Sequence, residues 1–534
     1  MSKHWRAVFF GILAILAVVI VVLATPRRTY AIPAFSRQYG TSCSTCHIDF
    51  PKLNDFGKAF KDAGFKFPTD DESMLKIPPV LLGAPANKEL WPRTIWPGSI
   101  PGLPPIGLRM NNYFQVVSAN RGNFTGAGVT PPGVGFVPRT DFETGFFSIF
   151  TAGNFGSDIA FWVDDDISVA GANANGGLGD GYLRFVNIGR FMHLPKDALT
   201  FRVGQFELDL PFTQARSYDI SPYDIYTEAN IGSMNTLFPA AQQNVNNTFA
   251  LAAAVQGVEF SGGHQYGGYH YSVAIVNQNT GGPIDTGTNV PSATGGSNGG
   301  LGFFSDSNFK DIYSRFSYRF NLERNPESRH SIQAAGPTGP RDHTYLRLGV
   351  YDFYGRSVQR FTGTMGTITA REPFYRLGGD IDFGYHGVFN IYGLYMYGHD
   401  HNLVPVAADG TLFPVFPTLP VSFIRGVPAT FSGGFIQADY LVYPWMMLIM
   451  RWDSVHSTAD LLNGAAGAPT NFTFPLSSVR NRFTPGVQFL IRANIKASFE
   501  YQVRPQQSVT LGENGLPIQS FRTNAATAGL EFVY

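Results

Sequence analysis

The chain has 534 residues, with 39 Lys and Arg against 39 Asp and Glu, so its formal net charge is zero and 15% of its side chains are charged. That balance excludes a nucleic-acid binder, which needs a basic surface to neutralise phosphates. Gly at 59, Phe at 47 and Tyr at 24 suit strands and turns and argue against a helical bundle.

Residues 1–31 read as a secretory signal. Lys3, His4 and Arg6 open it, residues 8–24 form an unbroken apolar run, and Thr29-Tyr30-Ala31 is an acceptable cleavage site. The run exceeds the roughly 7–15 residues usual for such a signal and stops just short of a membrane span. An uncleaved inner-membrane anchor is therefore the alternative. No later stretch has the length of an apolar helical span, so any further membrane insertion must be as a barrel.

Residues 32–105 differ in texture from the remainder of the chain. Both cysteines lie here, in Cys43-Ser44-Thr45-Cys46-His47. With only two, a disulfide framework and a four-Cys metal site are excluded. The run is the attachment signature of c-type haem. Two thiols three residues apart reach both vinyl groups of one porphyrin, and the adjacent His is held where its imidazole can ligate iron. Three alternatives compete. A thiol-redox pair is expected near a βαβ pattern, and none is visible. A zinc site needs more ligands, yet His47 is the only His between 32 and 105. A simple disulfide leaves His47 unexplained. Met74, the only Met between the motif and the first barrel-type strand, is the candidate second axial ligand; a packing role for it and an open iron position are the alternatives. Nine His residues further on (193, 264, 270, 330, 343, 386, 399, 401 and 456) read as interface or loop residues unless one faces a lumen at the height of the haem.

Phe56, Ala59, Phe60 and Ala63 predict a short amphipathic helix within 54–67. The prolines between 78 and 105 then mark an irregular linker.

From about residue 107 the hydrophobic period is two. In 487–504 the odd positions, among them Val487, Phe489, Ile491, Ile495, Phe499 and Tyr501, are apolar, and the even ones are polar except Leu490. This predicts two strands joined by an odd-length turn near Asn494. Ile312, Phe316, Tyr318 and Phe320 alternate with Arg315, Ser317 and Arg319 in the same way. Sixteen candidate strands begin near 107, 142, 157, 181, 199, 248, 267, 311, 344, 374, 388, 431, 445, 483, 495 and 523. Long connections near 120–141, 167–180, 207–247, 277–310, 355–373, 399–430, 454–481 and 504–521 alternate with short ones, 323–343 being longer than a turn should be. An even strand number with short periplasmic turns and long outer loops is the pattern of an outer-membrane barrel. The final Ala528, Leu530, Phe532 and Tyr534 on one face are similar to the assembly signal of such proteins. A secreted β-sandwich or propeller also alternates, but has no reason to alternate its connection lengths, and no fixed repeat is visible. The fold class expected is an all-β, large antiparallel outer-membrane barrel behind a small helical and irregular head. The parts are a signal at 1–31, head and linker at 32–105, and barrel at 106–534.

The segment Ala31-Ile32-Pro33-Ala34-Phe35-Ser36-Arg37-Gln38-Tyr39-Gly40, through the Cys43–His47 motif to Phe50-Pro51-Lys52-Leu53-Asn54-Asp55-Phe56-Gly57-Lys58-Ala59-Phe60, resembles the fused cytochrome–porin family, outer-membrane monohaem proteins of iron-oxidising bacteria. The resemblance covers roughly 31–67. It implies that Cys43 and Cys46 bind one haem c covalently, that His47 is an axial ligand, and that the head plugs the barrel mouth or lumen. The chain departs from the iron-oxidase branch at Leu53-Asn54-Asp55-Phe56-Gly57, where Leu-Thr-Pro-Phe-Gly is expected, in a shorter spacer after His47, and at Ser36 in place of a small Ala.

The function expected is single-electron transfer across the outer membrane. One reactant is an extracellular donor or acceptor such as Fe(II), the other a soluble periplasmic cytochrome, and lipid surrounds the barrel. The alternative is a porin-like channel whose haem-bearing head is a plug. Asp164, Asp165 and Asp166 read as a solvated turn in an outer loop, with hard-oxygen contacts for an outer cation as the alternative.

Overall fold

The computed structural model describes residues 34–67, 71, 75–77, 80–81, 89–90, 99–100, 106–117, 139–155, 158–167, 177–213, 217–227, 254–277, 309–323, 343–363, 366–401, 403–406, 410, 422–425, 428–457, 479–503 and 524–534. Met74 and most of the Pro-rich linker lie outside the described residues, as does the expected signal.

The head contributes two short antiparallel strands, β1 (His47–Asp49) and β2 (Lys52–Leu53). In the linker β3 (Val80–Leu81) pairs with β4 (Ser99–Ile100). The barrel comes next, with β5 (Ile106–Val117), β6 (Arg139–Phe155), β7 (Ile159–Ile167), β8 (Gly177–Phe185), β9 (Thr200–Glu207), β10 (Ala254–Gly263), β11 (Gly268–Asn277), β12 (Lys310–Asn321), β13 (Tyr345–Gly363), β14 (Gly366–Tyr385) and β15 (Phe389–Asp400). A side hairpin, β16 (Leu403–Val406) with β17 (Ser422–Arg425), interrupts it. Then come β18 (Ala429–Tyr443), β19 (Met446–Ser457), β20 (Val479–Arg492), β21 (Ile495–Gln502) and β22 (Ala525–Val533). Sixteen strands close into one antiparallel barrel. The seam is β22 on β5, from Ala525↔Val117 to Val533↔Arg109. Closure gives each of the sixteen ring strands a neighbour on both sides, as hydrocarbon demands.

The alternation has the inverted sense of a membrane barrel. On β12, Ile312, Phe316, Tyr318 and Phe320 are exposed while Asp311, Arg315, Ser317 and Arg319 are buried. On β20 and β21, Phe483, Phe499 and Tyr501 face out, and Arg482, Thr484, Gln488, Lys496 and Glu500 face in. A soluble sandwich would bury the apolar set; here it meets lipid and the polar set lines the interior. The protein is an outer-membrane β-barrel.

Three expectations need correction. The turn near Asn494 has two residues, not an odd number, and a bulge between Leu490 and Arg492 restores parity, so that Gln488 still opposes Ser498. The stretch 355–373 is no loop: β13 and β14 pair continuously out to Gly363↔Gly366. Beyond Phe374, the last residue of β14 paired to β15, the hairpin stands clear of the wall, among the described residues. Outside the bilayer no face must be apolar, so the period-two signal vanishes although the ladder continues. Asp164, Asp165 and Asp166 belong to β7 rather than a loop, and the Asp164 carboxylate accepts the Asp180 N–H, so it is committed to the wall. The unusually long 323–343 connection keeps its ends together through Leu322 N–H to Thr344 O (2.9 Å) and His343 to Glu323 (2.9 Å).

Candidate functional site

The head is built around its motif. A helix, Ala34–Tyr39, leads through Gly40, whose φ of +63° lies in the left-handed region, to a 3-10 turn at Cys43–Thr45. The turn closes by Cys46 N–H to Cys43 O (3.1 Å). His47 then enters β1, paired with Leu53. Asn54 ties these pieces together. Its amide donates to Ser44 O (3.1 Å) and Thr45 O (3.0 Å), its side-chain oxygen accepts Gly57 N–H (2.8 Å), and its backbone N–H donates to Cys46 O (2.9 Å). It is thus the N-cap of the helix Asp55–Asp62. That helix lies directly on the motif: a Cβ at Gly57 would stand 2.1 Å from Cys46 O. Phe56, Ala59 and Phe60 are buried, as their helical spacing predicts.

An aromatic cluster backs the turn. Phe35 meets Phe60 at 5.0 Å, Tyr39 stacks on Phe67 at 4.3 Å, and Phe65 touches Trp162 of the barrel at 5.6 Å.

Cys43 and Cys46 are both free thiols. Burial raises both, that of Cys46 to about 12 with a further push from Cys43. Burial drives the His47 imidazole down to about 4, against the opposite pull of the Pro51 and Lys52 backbone. It is therefore neutral at pH 7, the form that ligates metal, and its buried Nδ1 has no hydrogen-bond partner. Two free thiols on one turn beside a neutral imidazole are a donor set that fits a covalently attached c-type haem.

The head sits inside the barrel at the end carrying the short turns. Asp55 is held by both terminal nitrogens of Arg319 on β12, at 2.5 and 2.8 Å, and by Lys58 at 3.1 Å. Burial would raise this carboxyl, but Lys58 and Arg319 outweigh it and hold it at about 2. Lys52 donates to Asn390, lies 3.6 Å from Asp439, and stands over the Tyr392 ring at 4.5 Å. Lys496 on β21 donates to Phe50 O (3.3 Å), and Arg184 on β8 donates to Lys61 O (2.8 Å). These anchors come from strands around the whole barrel.

A second layer lies above the head. After β9, residues 208–213 and 217–227 turn inward rather than out. Arg451 on β19 binds Asp219 (3.0 Å) and Asp453 (2.8 Å); Arg482 on β20 binds Asp224 (2.9 Å) and Asp453 (3.0 Å). Glu500 accepts the N–H groups of Ile220 and Ser221 at 3.0 and 3.1 Å. Tyr223 stacks on Phe435 at 4.0 Å. The layers meet where Lys52 faces the Tyr218 ring at 5.6 Å.

Cys43, Cys46 and His47 are therefore together, and Met74 lies outside the described residues. Of the histidines, His270 faces the lumen but is engaged by Asp209 at 2.9 Å, and His343 and His386 bind Glu323. Sequence reading missed Lys52, Asp55 and Arg319 as docking residues, Asn54 and Gly57 as residues that shape the motif, and Arg451 and Arg482 as anchors of the inward segment. A signal existed for the segment: Leu208, Leu210, Phe212, Tyr218, Tyr223, Ile225 and Tyr226 are too apolar for an ordinary outer loop.

No protein-family model and no curated sequence matches the chain. Among solved structures it is similar to the outer-membrane channel DcaP of Acinetobacter baumannii, at 9% identity and a TM-score of 0.42, covering 82% of this chain and 97% of that one. It is also similar to an anion-selective porin from Comamonas acidovorans, at 12% and 0.43, covering 80% and 98%, and to OprB of Pseudomonas putida, at 10% and 0.40, covering 80% and 94%.

Proposed function

We propose that this protein is a single-electron carrier of the outer membrane, of the fused cytochrome–porin kind that its head resembles, with one haem c attached at Cys43 and Cys46 and ligated by His47. Met74 is proposed as the second axial ligand. The observation that carries the proposal is that the segment bearing the motif belongs to a plug pinned in the barrel mouth, through Asp55 and Arg319. When bound, haem supplies a one-electron centre whose potential depends on its axial ligands and its burial. The chain's own residues do the rest. Asn54 and Gly57 fix the thiol-bearing turn against the helix Asp55–Asp62. Burial keeps the His47 imidazole neutral and available to a metal. Lys52, Asp55 and the Phe50 carbonyl fasten the unit to the wall. The outer reactant is an extracellular donor or acceptor such as Fe(II), and the inner one a soluble periplasmic cytochrome.

A second reading is a porin-like channel with a plug. It is favoured by the polar lumen of the sixteen-stranded barrel and by the inward segment pinned across it. One experiment separates the two. The purified chain is stained for covalent haem and reconstituted in liposomes loaded with an oxidised dye, and an impermeant external donor is added. Dye reduction that needs both cysteines supports the carrier. Solute passage without electron transfer, or absence of covalent haem, rejects it in favour of the channel.

A further inference from the structure

Residues 186–199 join β8 to β9 at the periplasmic end and are unlike the other short turns. They fold into a 3-10 helix, Ile188–Met192, bracketed by Asn187 and His193, each in the left-handed region at φ 58°. The fold is held from several sides. Leu194 N–H donates to Gly189 O (3.0 Å), Asp197 N–H to the Asn187 side chain (3.1 Å), Arg190 pairs with Asp158 (2.7 Å), and the Tyr271 hydroxyl donates to Ala198 O (2.7 Å). This well-braced turn holds out apolar side chains: Phe191 is 69% exposed, Met192 65% and Leu194 41%. Arg190, His193 and Lys196 are exposed beside them.

A braced turn that holds such a cluster of apolar side chains away from the fold is built to meet an apolar phase. Its position says which one. Leu183 on β8 is lipid-facing, and the Phe185, Phe201 and Phe260 rings succeed one another at 5.9 and 5.2 Å across β8, β9 and β10. The turn continues the strands that carry this belt. An apolar centre with a basic rim is the chemistry of a headgroup layer, where aromatic and aliphatic groups reach the acyl boundary and Lys and Arg meet phosphate.

We infer that residues 188–196 are a foot seated in the inner, phospholipid leaflet of the outer membrane. Phe191, Met192 and Leu194 lie at the acyl boundary, and Lys196 lies on the phosphates. The inference concerns the barrel and does not depend on haem.

The test places a reporter in the foot. Phe191→Trp is refolded into vesicles of zwitterionic and anionic phospholipid, and its added emission is read against the unsubstituted protein. Leu183→Trp serves as a belt control, and heat-modifiable migration reports folding. The expected result is blue-shifted emission, strongly quenched by bromine on the upper acyl chain and little affected by iodide in the buffer. Emission quenched by iodide and indifferent to brominated lipid would overturn the inference and leave the patch to a periplasmic protein. Leu194→Trp gives the same reading if Phe191→Trp does not fold. Lys196→Glu should weaken the lipid quenching; unchanged quenching would remove the phosphate contact.

Discussion

Asp55 and Arg319 are 264 residues apart in the chain and meet as a two-point ion pair, at 2.5 and 2.8 Å, shut away from water inside the barrel mouth. The Arg319 guanidinium also lies 3.7 Å from the centre of the Tyr345 ring. One end of the pair is on the head and the other on the wall, so its strength is part of the docking strength of the plug.

Arg319→Ala should loosen the plug by about 3 kcal/mol, the low end for leaving a buried charge without its partner, because Lys58 remains at 3.1 Å from Asp55. Limited proteolysis of the head should become faster in mild urea while the barrel keeps its heat-modifiable migration. Equal protection of the head in both proteins would show that the pair contributes nothing to docking.

The same pair predicts a pH dependence. Asp55 titrates at about 2 in the folded protein, against an ordinary 3.8. A depressed carboxyl stabilises above its unfolded value and loses that contribution as pH falls through the folded one. Head protection should be full above about pH 4 and fade toward pH 2, read with an acid-active protease. Asp55→Asn should flatten this part of the profile.

Gly57→Ala should be poorly tolerated, since its Cβ would stand 2.1 Å from a backbone oxygen, Cys46 O, that cannot swing away. The helix Asp55–Asp62 must shift, at a cost of about 3 kcal/mol, the upper part of the range for overpacking. Covalent haem per folded barrel, read from peroxidase staining, should fall. Asn54→Ala loses the cap and two carbonyl contacts and should act in the same direction by about 1–2 kcal/mol. Staining equal to the parent in both variants would reject their role in shaping the motif.

Arg451→Ala strands Asp219 in the lumen, while Asp453 keeps Arg482 at 3.0 Å, and should loosen the inward segment, at a cost of about 3 kcal/mol. Single-channel conductance in planar bilayers should rise, most clearly when combined with Arg319→Ala. Conductance identical to the parent would mean that the segment does not limit passage.

Much of the barrel was legible because lipid imposes a rule that each strand obeys separately. A residue faces hydrocarbon or it does not, so period-two alternation marks crossing strands such as β12 and β21, and β21 begins at Ile495, where the pattern put it. The signal failed where the bilayer ends. Outside the bilayer the outer part of the β13–β14 hairpin obeys no such rule, and it read as a loop. Asp164 failed for a related reason: three adjacent acids look solvated in one dimension, while the bond to Asp180 N–H exists only once β8 lies beside β7.

The sequence by itself determined the number and approximate places of the membrane-crossing strands, which face of the clearest ones meets lipid, and that two thiols and an imidazole share one turn. These are local matters, set by alternation and by spacing within five residues. Only the tertiary structure decided that the turn is carried by a plug in the barrel mouth, and that residues 208–213 and 217–227 fold inward above it. Those placements rest on ion pairs such as Asp55 with Arg319 and Asp224 with Arg482, whose partners lie hundreds of residues apart. A charge at an inward position announces that it needs a partner, but only the closed barrel brings that partner within reach.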